Sequence, residues 1–89
     1  MNDAVLLNSC DCVATVTRAF DVGEHIQIGN QTIILKQAIP FAHKVAIRPI
    51  AKGAPVIKYG EPIGLATADI AVGELVHIHN LKSNRGLGA

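Results

Sequence analysis

Phe20-Asp21-Val22-Gly23-Glu24-His25-Ile26-Gln27-Ile28 aligns without a gap with Ile70-Ala71-Val72-Gly73-Glu74-Leu75-Val76-His77-Ile78. Ile50-Ala51-Lys52-Gly53-Ala54-Pro55-Val56-Ile57-Lys58 follows the same plan. So does Ile39-Pro40-Phe41-Ala42-His43-Lys44-Val45-Ala46-Ile47, with Ala42 in the glycine place. The shared frame is an apolar residue, two spacers, a small residue, two spacers and then a β-branched residue. It describes an apolar anchor, a tight turn and an outgoing strand. The copies are unevenly spaced, which excludes a solenoid and leaves one turn-strand device reused in a compact β fold.

The rest of the chain agrees. Val13, Thr15 and Thr17 alternate with Ala14, Val16 and Arg18, and Gln31 to Lys36 is rich in β-branched residues. Val45 to Ile47, Val56 to Tyr59 and Leu75 to Ile78 read as further strands between Gly, Pro and Asp breaks. The expectation is a mostly β domain of short strands with little helix. At Asp11 to Arg18 a short helix capped by Asp11 stays open beside the strand reading. The domain is expected over residues 1–81, with 82–89, rich in Gly and polar residues, as a flexible tail or linker.

Composition narrows the function. The chain has 89 residues, 49% of them hydrophobic, which fits one globular domain. A net charge of +1 and three aromatic residues, Phe20, Phe41 and Tyr59, give no basis for nucleic acid or an anionic membrane as partner. Cys10 and Cys12 are too close for a relaxed disulfide and lack a second ligand pair for zinc. They read as reduced thiols. No leader-like segment and no membrane-length apolar run is present, so the expected location is cytoplasmic.

Three places could carry chemistry. Strand alternation puts His77 and His79 on one face, about 7 Å apart, while Val76 and Ile78 point to the core. Two imidazoles so placed can move protons or ligate a metal, with His25, His43, Asp69 or another chain as third ligand. They can equally be solvent-facing and idle. His43-Lys44 follows a turn, where the ammonium favours a neutral, base-competent imidazole; from chemistry alone an exposed turn pair without a role is the better reading. Lys58-Tyr59-Gly60 offers a cation for a carboxylate and a glycine for close backbone approach; in the plainer alternative Tyr59 fills the core.

Ile39-Pro40-Phe41-Ala42-His43-Lys44-Val45-Ala46, Val56-Ile57-Lys58-Tyr59-Gly60-Glu61-Pro62-Ile63-Gly64 and Val76-His77-Ile78-His79-Asn80-Leu81 together resemble the N-terminal module of the altronate and galactarate dehydratase family. The likeness covers roughly residues 10 to 85, with Ala42 standing where the family usually has Gly. It implies a SAF domain with a β-clip fold. It also implies the small subunit or N-terminal domain of a sugar-acid dehydratase that eliminates water from a hydroxy acid with a large catalytic subunit. In some members the module is fused to the large domain through a linker, where the tail of this chain would stand. A sulfolactate sulfo-lyase small subunit and a non-catalytic carbohydrate-binding or adaptor module are the alternatives. The implied catalytic residues are His43, His77 and His79, with Lys44, Lys58, Tyr59, Gly60 and Asn80 for the substrate. A divalent metal, iron or manganese, would be held mainly by the large subunit, with His77 and His79 as the ligands this chain could offer. Exposed sheet edges on so small a fold leave a homo-oligomer open.

Overall fold

The computed structural model describes residues 3–6 and 8–83. Among them the strands, in chain order, are β1 (Ala4–Val5), β2 (Val13–Val16), β3 (His25–Ile28), β4 (Gln31–Ile34), β5 (Lys44–Ala46), β6 (Pro55–Lys58), β7 (Glu61–Ala66), β8 (Leu75–Val76) and β9 (Leu81–Ser83). No described residue is helical. The helix left open at Asp11 to Arg18 is strand β2, which is buried on both sides at Val13, Ala14 and Val16. Four strands make an antiparallel sheet in the order β1-β2-β5-β8, β3 and β4 form a hairpin, and β6-β7-β9 form a third sheet.

All four turn-strand copies close in the same way. At the third residue after the anchor φ is positive: 87° at Gly23, 64° at Ala42, 85° at Gly53 and 91° at Gly73. That residue donates its N–H to a carbonyl on a neighbouring segment. The pairs are Gly23 to Leu35, Ala42 to Val16, Gly53 to Ala66 and Gly73 to Ala46. The same neighbour then returns an N–H to the carbonyl one residue on, at Glu24, His43, Ala54 and Glu74. Each turn therefore satisfies its backbone by docking on another strand, which short strands could not do alone. The anchors pair as well: Phe20 bridges Ile39, and Ile50 bridges Ile70.

The uneven spacing resolves into a tandem duplication. Phe20 and Ile50 stand 30 residues apart, as do Gly23 and Gly53, whereas Ile39 and Ile70 stand 31 apart, as do Ala42 and Gly73. The extra residue is Ile63. It forms a bulge where the β6–β7 register slips, Val56 pairing Gly64 while Ile57 pairs Pro62.

Each half builds a core. One contains Phe20, Ile26, Ile28, Ile33, Leu35 and Ile39; the other contains Ile50, Val56, Ala66, Ile70 and Val76. The four-stranded sheet lies between them. Ala14, Val16 and Val45 face the first core, and Val13 and Ala46 face the second, as strand alternation requires. Two boundaries differ from expectation. β8 ends at Val76, and Ile78 is 84% exposed rather than in the core. Lys82 and Ser83, expected in the tail, pair with Leu65 and Gly64 in β9; residues 84–89 lie outside the described residues.

The docked turns make a testable ranking. A Cβ at Gly73 would collide with the Ile34 carbonyl, while one at Gly23 would meet open space. Gly23→Ala should cost about 1–2 kcal/mol, the penalty of a left-handed backbone alone. Gly73→Ala adds a backbone clash and should cost clearly more. Urea unfolding of the two variants checks the order.

Candidate functional site

The site grows from the end of the central strand. β5 pairs β2 through Thr15 and Lys44, and pairs β8 through Lys44 and Val76. One step further along both strands come His43 and His77. Their rings lie 4.7 Å apart between centroids and are tilted by 49°. The sequence reading paired His77 with His79. The structure instead pairs His77 with His43, because the chain leaves the strand after Val76 and turns through residues 77–80. His79 is exposed in that turn.

His43 occupies the place that Glu24 and Glu74 hold in two other copies. There the carboxylate turns back to accept a backbone N–H, from Asp21 and Ala71 respectively. The His43 ring instead meets the Phe41 carbonyl through Nδ1 at 2.9 Å. A carbonyl only accepts, so this bond puts the proton on Nδ1, and in the neutral ring Nε2 carries the lone pair.

Beside this pair a cleft of about 400 Å³ opens, lined among others by Val5, Thr15, Phe41, Ala42, Lys58 and Tyr59. Phe41 and Tyr59 are 67% and 57% exposed. Tyr59 does not fill the core, and Phe20 is the one aromatic side chain buried there. Lys44 is half-buried. Burial first, and then the charge of Lys58, hold its ammonium below the ordinary lysine range. Lys58 places Nζ 4.7 Å from the centre of the Tyr59 ring. The cleft therefore sets one cation, Lys58, beside an exposed aromatic rim, with Lys44 near enough to feel the Lys58 charge, a surface suited to a small anion with an apolar or hydroxylated body.

The Tyr59-Gly60 turn is built at a cost. It links β6 to β7 with φ of 58° at Tyr59 and 73° at Gly60. A left-handed backbone at a non-glycine residue costs roughly 1–2 kcal/mol, and a bulky side chain there is an outlier. In the other half the equivalent position is Gly29, with the same φ of 58°.

The SAF domain model of altronate/galactarate dehydratase matches residues 2–84. The chain belongs to that family. This SAF domain is 45% identical over 80 residues to an altronate dehydratase of Escherichia coli, covering 90% of this chain and 16% of that protein. It is 34% identical over 84 residues to an altronate dehydratase of Bacillus subtilis, covering 94% of this chain and 17% of that protein. The alpha subunit of (2R)-sulfolactate sulfo-lyase from Paracoccus pantotrophus is 48% identical over 50 residues, 56% of this chain and 75% of that subunit. The chain thus spans under a fifth of the altronate dehydratases it matches, and these relatives are lyases. The mostly β, SAF-like expectation agrees with the strands described above.

Two expected roles change within the SAF domain. No group of three or more His, Cys, Asp or Glu among the described residues is placed to hold a metal ion. His77 and His79 are not strand neighbours on one face, so the geometry behind their proposed ligation is gone. The donor set among the described residues does not fit a resident metal. Asn80, expected to touch substrate, is buried and spends its amide on its own turn. Its Oδ1 accepts the His77 N–H at 2.9 Å, and its Nδ2 donates to the Leu75 carbonyl at 2.8 Å. Asn80 sets the path of the chain at His77. Sequence reasoning missed Thr15 and the exposure of Phe41. The only signal for Thr15 was a polar residue on an otherwise apolar strand.

Asn80→Ala strands two partly buried backbone groups and should cost at most about 1–3 kcal/mol each, the fully unsatisfied limit. Thermal unfolding should show the loss, and the imidazole NMR resonances of His43 and His77 should shift together as their ring contact loosens. Unchanged resonances would separate Asn80 from the histidine pair.

Proposed function

We propose that this SAF domain is the small subunit or N-terminal module of an altronate dehydratase-like enzyme. In this reading it completes, with a large catalytic part, an active site that eliminates water from a sugar acid. The observation that carries it is the juxtaposition of Lys58, which lines the cleft, and Lys44, which feels its charge, with His43 and His77 at the Lys44 end of the central sheet. Lys44 and Lys58 hold the substrate carboxylate. Charge accumulates on that carboxylate when the neighbouring C–H bond breaks, and fixed cations stabilise it there. The electron pair of that bond forms the C=C bond, and hydroxide leaves the next carbon with a proton supplied by an acid. The His43–His77 pair handles one of these protons, with His43 Nε2 as the accepting atom. The tilted rings keep the second imidazole within reach as a relay.

The names of the altronate dehydratases support a sugar acid as substrate, and the match to them spans most of this chain. A sulfo-lyase small subunit is the second reading. It is favoured by how much of that subunit the match covers, but the match reaches only part of this chain. The metal expected of the enzyme would lie in the large part, for the reason of donor geometry given above. On this reading the isolated domain is inactive, works in the cytoplasm, and assembles with its large partner rather than with nucleic acid or membrane.

The test is turnover of altronate by the domain assembled with the large part of the enzyme. His43→Ala should lower kcat by about 10²–10⁴-fold, the usual range for losing a positioned acid or base. His77→Ala should lower kcat less. Turnover unchanged in both would overturn the catalytic role and leave an adaptor module.

The pH dependence tests the cations separately. Lys44 is charged below its depressed pKa and neutral above it. Altronate affinity should therefore weaken as pH rises at values still below the ordinary lysine range, read as a rise in KM. Lys44→Arg keeps its charge and should remove that alkaline rise, whatever its effect at neutral pH.

A further inference from the structure

We propose that Asp11 is a positioning residue for the anion-binding wall of the cleft, a role that rests on the dehydratase reading. Its carboxylate is 1% exposed. Oδ1 accepts the N–H of Gly60 at 2.8 Å, joining residues 49 apart in the chain. Gly60 is the second residue of the left-handed turn that follows Lys58 and Tyr59. The residues around Asp11 grip the same hairpin. Asp11 N donates to the Asn8 carbonyl, and Cys12 N donates to the Ile57 carbonyl at 2.9 Å. A Cβ at Gly60 would come within 2.6 Å of Asn8 Nδ2, so the loop is seated directly on the turn.

The two halves show why such a grip is needed. In the first half the turn uses Gly29, which takes a φ of 58° at no steric cost. In the second half Tyr59 takes the same φ, with its ring exposed on the cleft and the Lys58 ammonium over it. An exposed tyrosine contributes nothing to the core in return. A strained turn persists only where its surroundings over-determine it. The buried carboxylate supplies that determination through a charge-assisted hydrogen bond to the turn. Asp11 touches neither the cleft nor a substrate; it acts by fixing where Lys58 and Tyr59 stand.

The experiment has two arms. In the 89-residue chain, thermal unfolding of Asp11→Ala, Tyr59→Gly and the double variant forms a cycle. Asp11→Ala should lower Tm by roughly 4–8 °C or more. The fall should be clearly smaller in the Tyr59→Gly background, because glycine holds the turn unaided. Equal falls in both backgrounds would overturn the grip on the turn. In the assembled enzyme, Asp11→Asn, which keeps an acceptor oxygen and the fold, should leave KM for altronate within about threefold. Asp11→Ser, too short to reach Gly60, should raise KM tenfold or more with kcat changed less than threefold. A fall in kcat with KM unchanged, or equal effects of Asn and Ser, would overturn the positioning role. The dehydratase reading fails separately, by absence of altronate turnover in the unmodified assembly, and the unfolding cycle stands whatever that result.

Discussion

The middle of the molecule is one short strand that must satisfy two cores at once. β5 presents Val45 to the first core and Ala46 to the second, and both are fully buried. Its flanks, β2 and β8, complete its ladder. With neither face free for solvent, the strand has little freedom in register: a slip of one residue would exchange its two faces and send Lys44 toward the first core. That constraint fixes where the strand ends, and the end is the candidate site. Lys44 is the first residue of the strand, half in and half out, and His43 precedes it at the mouth of the turn. The burial that depresses the Lys44 ammonium is thus the continuation of the burial that holds the fold together.

The duplication supplies the frame and the departures from it mark the candidate site. Four turns share one hydrogen-bond scheme, and two of them place a glutamate where its carboxylate folds back on the backbone. Where His43 replaces that glutamate, a turn-closing acceptor becomes a ring with a free nitrogen. Where Tyr59 replaces the Gly29 type of turn, a relaxed connection becomes a strained one facing the cleft. Both replacements border the same region. A scaffold that folds through repeated local rules can carry such exceptions because the other copies continue to satisfy the rule.

Much of this is legible in the sequence. The anchor-turn-strand frame gave the four turns, the small-residue position, most strands and the mostly β class, because tight turns and alternation leave direct marks in sequence. The pairing of histidines did not. His77 and His79 satisfy strand alternation, but Asn80 bends the chain at His77 and the ladder stops at Val76. A side-chain bond that reaches back to its own strand has no periodic signature. Strand β9 escaped notice because Lys82 and Ser83 are polar on an edge, where little burial is required. Asp11 left a helix cap open beside the strand reading, since a cap is a common use of Asp before an Ala-Val run. Its actual partner lies 49 residues away, and nothing in the local sequence points there. The resemblance of three motifs to a known family was the strongest functional sign, yet it could not say which of the named residues meet.

The crossing of strands between the cores has a mechanical consequence. Val13, from the first half, is a wall of the second core, while Val45 and Ile47, at the junction of the halves, are walls of the first. Neither half can loosen without opening a gap in the other, so two small cores, each too slight to persist alone, are welded into one cooperative unit. A disturbance at the His43 end of β5 therefore has no local remedy. It is shared by the whole domain, and the candidate surface on so small a body inherits the rigidity of all of it.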